Sequence, residues 1–318
     1  MRALLILLAA GCAAAQVPES TRLPESAQVA DKAQVADKAQ AGEKAQAAAP
    51  APGPEAALSI DAIMSRVARN QAKTLDARTF YVYNQSQLLR MLRGNHKIAR
   101  EERREYVVVP KDRGINKKLA HFEGKYESHG QYFSFDRPGY HYKSLDLDGD
   151  LLNSFSEEMT DDKDSRDGIG RDLFPLTYHQ QMKYDFKLEG TETREGRQMY
   201  RVSFVPKPKM TKLDDDGTIW KGEALIDAAE FQPVEVTTKM AWKMPLAVKT
   251  LLGTNITGLG FTVHYQRIGD GVWFPVSYGG EFRFRGIFVY ERTVSISMKN
   301  SDFKRTDVNS NIAYANGQ

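Results

Sequence analysis

Four acidic residues stand at spacings that suit a calcium-binding loop. Asp146, Asp148 and Asp150 alternate along the chain, and Glu157 occupies the twelfth position. Such a loop needs glycine at its sixth position, where the backbone bends sharply, and Leu151 stands there instead. We therefore predict a surface turn in this segment and no metal site.

Other candidates for catalytic chemistry are sparse. No two of the six histidines are four residues apart, the spacing that presents a zinc-binding pair on one helix face. Around Ser277, the first position of a G-x-S-x-G nucleophile motif is Pro275, and no glycine fingerprint for phosphate or dinucleotide binding occurs. With a single cysteine, the chain forms neither an internal disulfide nor a multi-cysteine zinc site. We expect no enzyme activity, no catalytic residues and no cofactor.

Charge and hydropathy argue against two further classes of protein. The 44 Lys and Arg against 41 Asp and Glu give a net charge of +3, whereas nucleic-acid-binding proteins carry a strong basic excess. The mean hydropathy of −0.51 does not fit a polytopic helical membrane protein. The apolar run at the N-terminus is shorter than the about 20 residues needed to span a bilayer. No nucleic-acid partner is expected.

Residues 1–15 have the pattern of a secretory signal peptide, in which Arg2 precedes a short apolar core and small residues follow. Two kinds of processing fit this segment. Cleavage after Ala15 satisfies the small-residue rule, and residues 9–12 resemble a bacterial lipobox that ends in Cys12. Cys12 is the sole cysteine of the chain, which favours lipidation. We expect an exported protein, anchored to the outer membrane if Cys12 is acylated.

Residues 16–57 are a low-complexity segment in which a six-residue Ala-rich unit repeats without any aromatic residue. Such a composition buries too little surface to offset the entropy lost on folding. We predict a disordered tether of Ala, Lys and Pro between the export signal and a domain formed by residues 58–318.

That domain opens with a predicted amphipathic helix, because Ile60, Ile63, Met64 and Val67 follow helical spacing after the N-cap candidate Ser59. Apolar side chains then alternate with polar ones, as in half-buried strands. About nine to eleven strands are predicted, including one over 178–189 and a long one over 282–298, and a short second helix fits between Leu145 and Met159. Short turns connect the strands, so the fold class is mainly β (α+β) with an antiparallel sheet.

Little predicted helix is available to cover the apolar face of so large a sheet. The surplus face predicts an apolar cavity suited to a greasy ligand, although the same side chains would also suit a packed core. Arg292 lies on that face, where a charge must be paired or meet a polar group of a ligand, unless a bulge turns it into solvent. The predicted ligand-binding residues are Met182, Tyr184, Phe186, Trp220, Met240, Trp242, Phe282, Phe284 and Arg292.

Several segments resemble the LolA/LolB superfamily of periplasmic lipoprotein carriers. The opening helix followed by residues 80–83 is similar to the start of these proteins. Residues 196–207, and residues 220–227 followed by 231–236, are similar to their central strands, and residues 258–261 match a Gly-rich strand that commonly comes after. The resemblance implies a strongly curved antiparallel half-barrel wrapped around the N-terminal helix. It also implies an apolar interior that holds acyl chains.

The predicted function is binding or shuttling of a lipid or lipoprotein acyl group by an exported, lipid-anchored envelope protein. The expected partners are acyl chains and, through the anchor, the envelope membrane. One alternative is a non-catalytic structural or sensory envelope module with a packed core. Another is an outer-membrane β-barrel, which strands of about ten alternating residues would permit.

Overall fold

The computed structural model describes residues 58–110, 115–160, 175–208, 220–241, 255–286 and 290–306. The predicted signal peptide, the predicted tether, Cys12 and Trp242 all lie outside these residues. No helix in the described ranges is long and apolar enough to cross a membrane.

The first helix, α1 (Ile60–Arg78), begins where the sequence predicts it. The Ser59 side chain accepts a hydrogen bond from the Ala62 N–H at 3.2 Å, which satisfies one of the free donors at the helix start. Asp61 lies in the first turn, at the positive end of the helix dipole, and Arg78 lies in the last turn, at the negative end, so both charges stabilise the helix. The side chains of Ile63, Met64 and Val67 are buried, as their spacing predicts.

Twelve strands of the described chain form one antiparallel sheet, with a few short helical segments beside it. The strands are β1 (Tyr81–Leu92), β2 (Ile98–Pro110), β3 (Ile115–Ser128), β4 (Gln131–Phe135), β5 (Tyr184–Arg194), β6 (Arg197–Pro206), β7 (Trp220–Asp227), β8 (Pro233–Met240), β9 (Asn255–Thr257), β10 (Gly260–Arg267), β11 (Trp273–Arg285) and β12 (Glu291–Arg305). Helices α2 (Leu147–Thr160) and α3 (Tyr178–Gln181) lie between β4 and β5.

The order across the sheet is β4-β3-β2-β1-β12-β11-β10-β8-β7-β6-β5, and β9 pairs with β11. The strands β4 and β5 are therefore its two edges, and the sheet is open. Most paired strands are consecutive in the sequence, and the exceptions place β1 beside β12, β8 beside β10 and β9 beside β11. The predicted mainly antiparallel β structure is confirmed.

Two predicted strands need correction. Residues 178–181 form α3, and the strand begins only at Tyr184, because the polar segment 178–183 folds as a helical turn that packs on α1. The predicted strand over 282–298 is two strands, β11 and β12, which meet where the Gly286 N–H donates to the Tyr290 carbonyl at 2.7 Å. Phe284 pairs with Arg292, so even-numbered residues stay on one face across the break and the alternation continues.

Two short strands, β4 and β9, are not predicted by the alternation. The first follows a tight turn in which His129 and Gly130 both have positive φ, of 50° and 82°. Such a turn returns the chain directly onto its neighbour, so the His-Gly pair is the local signal for β4.

A large core cluster joins α1 to one face of the sheet, which we call the inner face. Three polar contacts also hold α1 to the loops at the ends of the strands. The Arg78 Nε donates to the Trp273 carbonyl at 2.7 Å, and the Gln71 amide donates to Gln232, whose own amide donates to Thr74. A second, smaller core forms around Tyr83 and Phe274.

Candidate functional site

The inner face can be followed residue by residue across the sheet. One row of directly paired residues, the central row, crosses ten strands: Leu188, Val202, Ala224, Val236, Val263, Tyr278, Met298, Gln87, Arg104 and Phe122. From β5 to β12 every member is aliphatic or aromatic, apart from the hydroxyl of Tyr278. At β1 and β2 the row becomes polar. The inner face therefore has a long apolar region and a polar region at one side.

Three glycines of the inner face, Gly124, Gly222 and Gly280, have phenylalanine rings close beside them. Gly222 pairs with Phe204, and Gly124 pairs with Phe135. A Cβ atom at Gly222 would stand 2.9 Å from the Phe204 ring, and one at Gly280 would stand 2.9 Å from the Phe261 ring. The nearest atoms are backbone oxygens of the neighbouring strands, Thr237 O at 1.9 Å for Gly222 and Gly260 O at 2.2 Å for Gly280, so both positions are closely packed. We call the apolar part of the inner face, over β5 to β12, the trough.

Most of the predicted ligand-binding residues meet in this region. Tyr184, Trp220, Phe282 and Phe284 are buried members of the large core cluster, and Phe186 and Met240 pack against it partly buried. Trp220 pairs with Met240 across β7 and β8. Tyr184 and Phe204 meet edge to face with ring centroids 5.8 Å apart.

Met182 does not belong to this group. Its side chain is 49% exposed, because the residue follows α3 and precedes the first residue of β5. The alternation predicted it to lie on the same face as Tyr184, which would require the strand to begin earlier.

Arg292 is on the inner face, as the sequence predicts, and it is already paired. Its Nε and Nη2 donate to the two carboxylate oxygens of Asp148 at 2.8 and 3.2 Å. The Tyr290 hydroxyl donates to the same carboxylate at 2.6 Å. Burial, followed by the Asp148 charge, raises the pKa of Tyr290 well above its usual range. The charge of Arg292 is therefore accounted for by a pair within the protein, and neither a ligand contact nor a bulge into solvent is needed.

The polar region at β1 and β2 contains a buried ion network that the sequence analysis missed. Glu102 accepts from Arg100 Nε at 2.9 Å and from Arg104 Nη2 at 2.5 Å, and Asp146 accepts from Arg100 Nη1 at 2.6 Å. The four side chains are at most 4% exposed. Charges at every second position of β2, on the face that is otherwise apolar, were the available signal.

The three aspartates of the calcium-like pattern lie at the start of α2 and make contacts within the protein. Asp146 is buried and accepts from the Gly149 N–H at 3.2 Å, so it caps the helix and does not lie in a surface turn as predicted. Asp148 binds Arg292, and Asp150 contacts the His141 ring at 2.6 Å. Within the described ranges, no group of three or more His, Cys, Asp or Glu side chains is placed to hold a metal ion.

Open grooves occur away from the trough. One of about 950 Å³ lies along β2, β3 and β4 and is lined by aromatic and charged side chains, among them Phe135, Tyr140 and Lys125. Another of about 500 Å³ is lined mainly by outward-facing side chains of β6 to β8, such as Arg201 and Lys221. Neither includes a residue of α1, and the hollow between α1 and the inner face stays a prediction.

Comparison with solved structures finds several that share weak overall similarity with this chain. A DUF1329 family protein from Desulfovibrio piger has a TM-score of 0.32 and 13% identity, covering 80% of this chain and 96% of the other. A domain from Vibrio parahaemolyticus described as an outer membrane lipoprotein-sorting protein has a TM-score of 0.31 and 10% identity, covering 78% and 95%. A LolA superfamily protein from Nitrosomonas europaea has a TM-score of 0.30 and 10% identity, covering 74% and 94%.

No protein-family model matches the chain, and no curated protein matches its sequence. The solved structures that it resembles include proteins of the LolA type, as the sequence predicted. At these TM-scores the similarity supports no inference about a ligand, so such an inference has to come from the chain's own residues.

Proposed function

We propose that this protein binds the acyl chain of a lipid or lipoprotein in the trough of the inner face, without catalysing a reaction. The observation that carries this proposal is the apolar part of the central row, from Leu188 to Met298, with Gly222 and Gly280 on the same face. A long, continuous row of apolar side chains matches the chemistry of a hydrocarbon chain.

Affinity would come from removing methylene groups from water, at about 0.8 kcal/mol for each buried group. The polar region at Gln87 and Arg104 marks the side of the sheet where an acyl chain would gain no binding energy. The side chains of this region are polar and already hydrogen-bonded to one another and to Ser156. The proposed ligand therefore lies over β5 to β12, with the sheet curved as a half-barrel around α1.

The proposal places the protein in the bacterial envelope. Export by residues 1–15 and lipidation of Cys12 would anchor it to the outer membrane, and residues 16–57 would let the domain stand off from the lipid surface. A permanently anchored protein of this kind resembles a receptor or acceptor of acyl groups more than a freely diffusing carrier.

Native mass spectrometry of the exported full-length protein, before and after incubation with labelled phospholipid, tests the proposal. The wild type should copurify with lipid or take it up. Ala224→Phe should abolish uptake, because Ala224 is buried in the middle of the central row and a ring there would fill the trough.

The matched control is Glu223→Phe, which adds the same ring to the neighbouring exposed residue on the opposite face. It should bind lipid as the wild type does. Equal unfolding midpoints of the two variants would separate loss of binding from loss of folding. A wild-type protein that keeps a lipid-free mass under all conditions would refute the proposal and favour the structural or sensory module.

A further inference from the structure

Within the part of the chain that the structure describes, the indole N–H of Trp220 is buried without a hydrogen-bond partner. Trp220 is 0% exposed, and its Nε1 atom has no hydrogen-bond partner among the described residues. The other described tryptophan behaves in the usual way, since Trp273 Nε1 donates to Glu230 Oε2 at 2.8 Å. Buried polar groups in proteins are nearly always satisfied, so an unsatisfied one calls for an explanation.

The surroundings of Trp220 lie inside the proposed binding region. The residue begins β7 on the inner face, next to Met240 on β8, and its ring meets the Phe261 ring edge to face with centroids 5.6 Å apart. The Trp220 backbone N–H donates to the Tyr184 hydroxyl at 3.4 Å. The free indole donor is thus held among aromatic and aliphatic side chains.

The inner-face ion pairs of the described chain lie at the other side of the sheet. They join β2 and β12 to Asp146 and Asp148, at the side where α2 packs. Among the described residues, Tyr184, Phe261 and Met240 contact Trp220, and all three are uncharged. An anionic group beside the indole would be desolvated without a cation to balance it, which is unfavourable. An uncharged acceptor suits the position better.

We infer that the indole N–H of Trp220 donates a hydrogen bond to the carbonyl oxygen at the head of a bound acyl chain. This inference rests on the proposed function and adds the chemical class of the ligand, an acyl ester or amide as opposed to a plain hydrocarbon or an ether. The contact fixes how far the chain lies along the trough, with its carbonyl beside β7.

A pair of probes that differ in one carbonyl group tests the inference. The ester 1-palmitoylglycerol and the ether 1-hexadecylglycerol have alkyl tails of equal length, and their dissociation constants are measured with the full-length exported protein by isothermal titration calorimetry. The wild type should bind the ester about tenfold more tightly, the effect of one hydrogen bond to an otherwise unsatisfied donor. Trp220→Phe should bind both probes equally.

A second variant guards against loss of packing in Trp220→Phe. Replacing Trp220 by benzothienylalanine keeps the size of the ring and exchanges only the N–H for sulfur, so ether binding should be unchanged and the ester preference should disappear. If the wild type binds ester and ether with equal affinity, or if either variant keeps the preference, the inference is overturned while lipid binding stands. If neither probe binds the wild type, the proposed function fails with it.

Discussion

Replacing Glu102 by glutamine should remove a large share of the folding stability of this protein. Glu102 accepts hydrogen bonds from Arg100 and Arg104 on either side of it along β2. Two buried guanidinium groups are therefore balanced by two buried carboxylates, the second being that of Asp146. The substitution keeps the shape of the side chain and removes one of the two negative charges.

The expected loss follows from the burial of the partners. Glu102 is 1% exposed and Arg104 is 4% exposed, so water cannot replace the missing carboxylate. Breaking a buried ion pair by removing one partner costs about 3–5 kcal/mol. Because small and medium-sized domains are stable by only about 5–15 kcal/mol, the variant should approach the limit of folding at physiological temperature.

Urea unfolding followed by circular dichroism measures this loss. Glu105→Gln is the matched control, because Glu105 is exposed on the same strand and its replacement should change the free energy of unfolding by no more than about 0.5 kcal/mol. If Glu102→Gln loses no more stability than Glu105→Gln, the network does not hold α2 against the sheet, and our interpretation of the polar region is wrong.

Three further predictions concern the trough, the α2 segment and α1. Gly222→Ala should lower the free energy of unfolding by about 1–3 kcal/mol, because its Cβ would stand 1.9 Å from the Thr237 carbonyl oxygen. The control Gly94→Ala, whose Cβ would have no heavy atom within 4 Å, should leave the free energy of unfolding unchanged. If both variants unfold at the same midpoint, the trough is not closely packed. The hydrogen bond to Asp150 raises the pKa of His141. The contribution of this contact to folding stability is therefore fully present below the ordinary pKa of 6.5 and is lost as pH rises through the raised pKa. In an NMR titration, Asp150→Asn should return this pKa towards 6.5, and an unchanged value would exclude the contact. Ser59→Ala should cost about 1 kcal/mol in urea unfolding through loss of the N-cap, and an unchanged midpoint would show that the cap is not needed.

The sequence by itself determined most of the local structure of this protein, with the exceptions of residues 178–183 and the short strands β4 and β9. The period of apolar residues is set by backbone geometry, 3.6 residues in a helix and two in a strand, so α1 and most strands could be predicted from spacing alone. The turns at Glu195-Gly196 and Asp270-Gly271 could also be predicted from backbone geometry, because such turns require positive φ. The structure has positive φ at all four residues. Tyr184, Trp220 and Phe282 could likewise be assigned to the inner face.

The partners of charged residues were decided only by the tertiary structure. Arg292 and Asp148 are 144 residues apart, and Arg100 and Asp146 are 46 apart. Their contacts depend on the order of strands in the sheet and on where α2 packs, which no local period encodes. For the same reason Met182 was placed wrongly, because packing on α1 favours a helical turn where the alternation alone predicts a strand. Spacing fixes which face a side chain occupies, whereas long-range packing decides what it meets there.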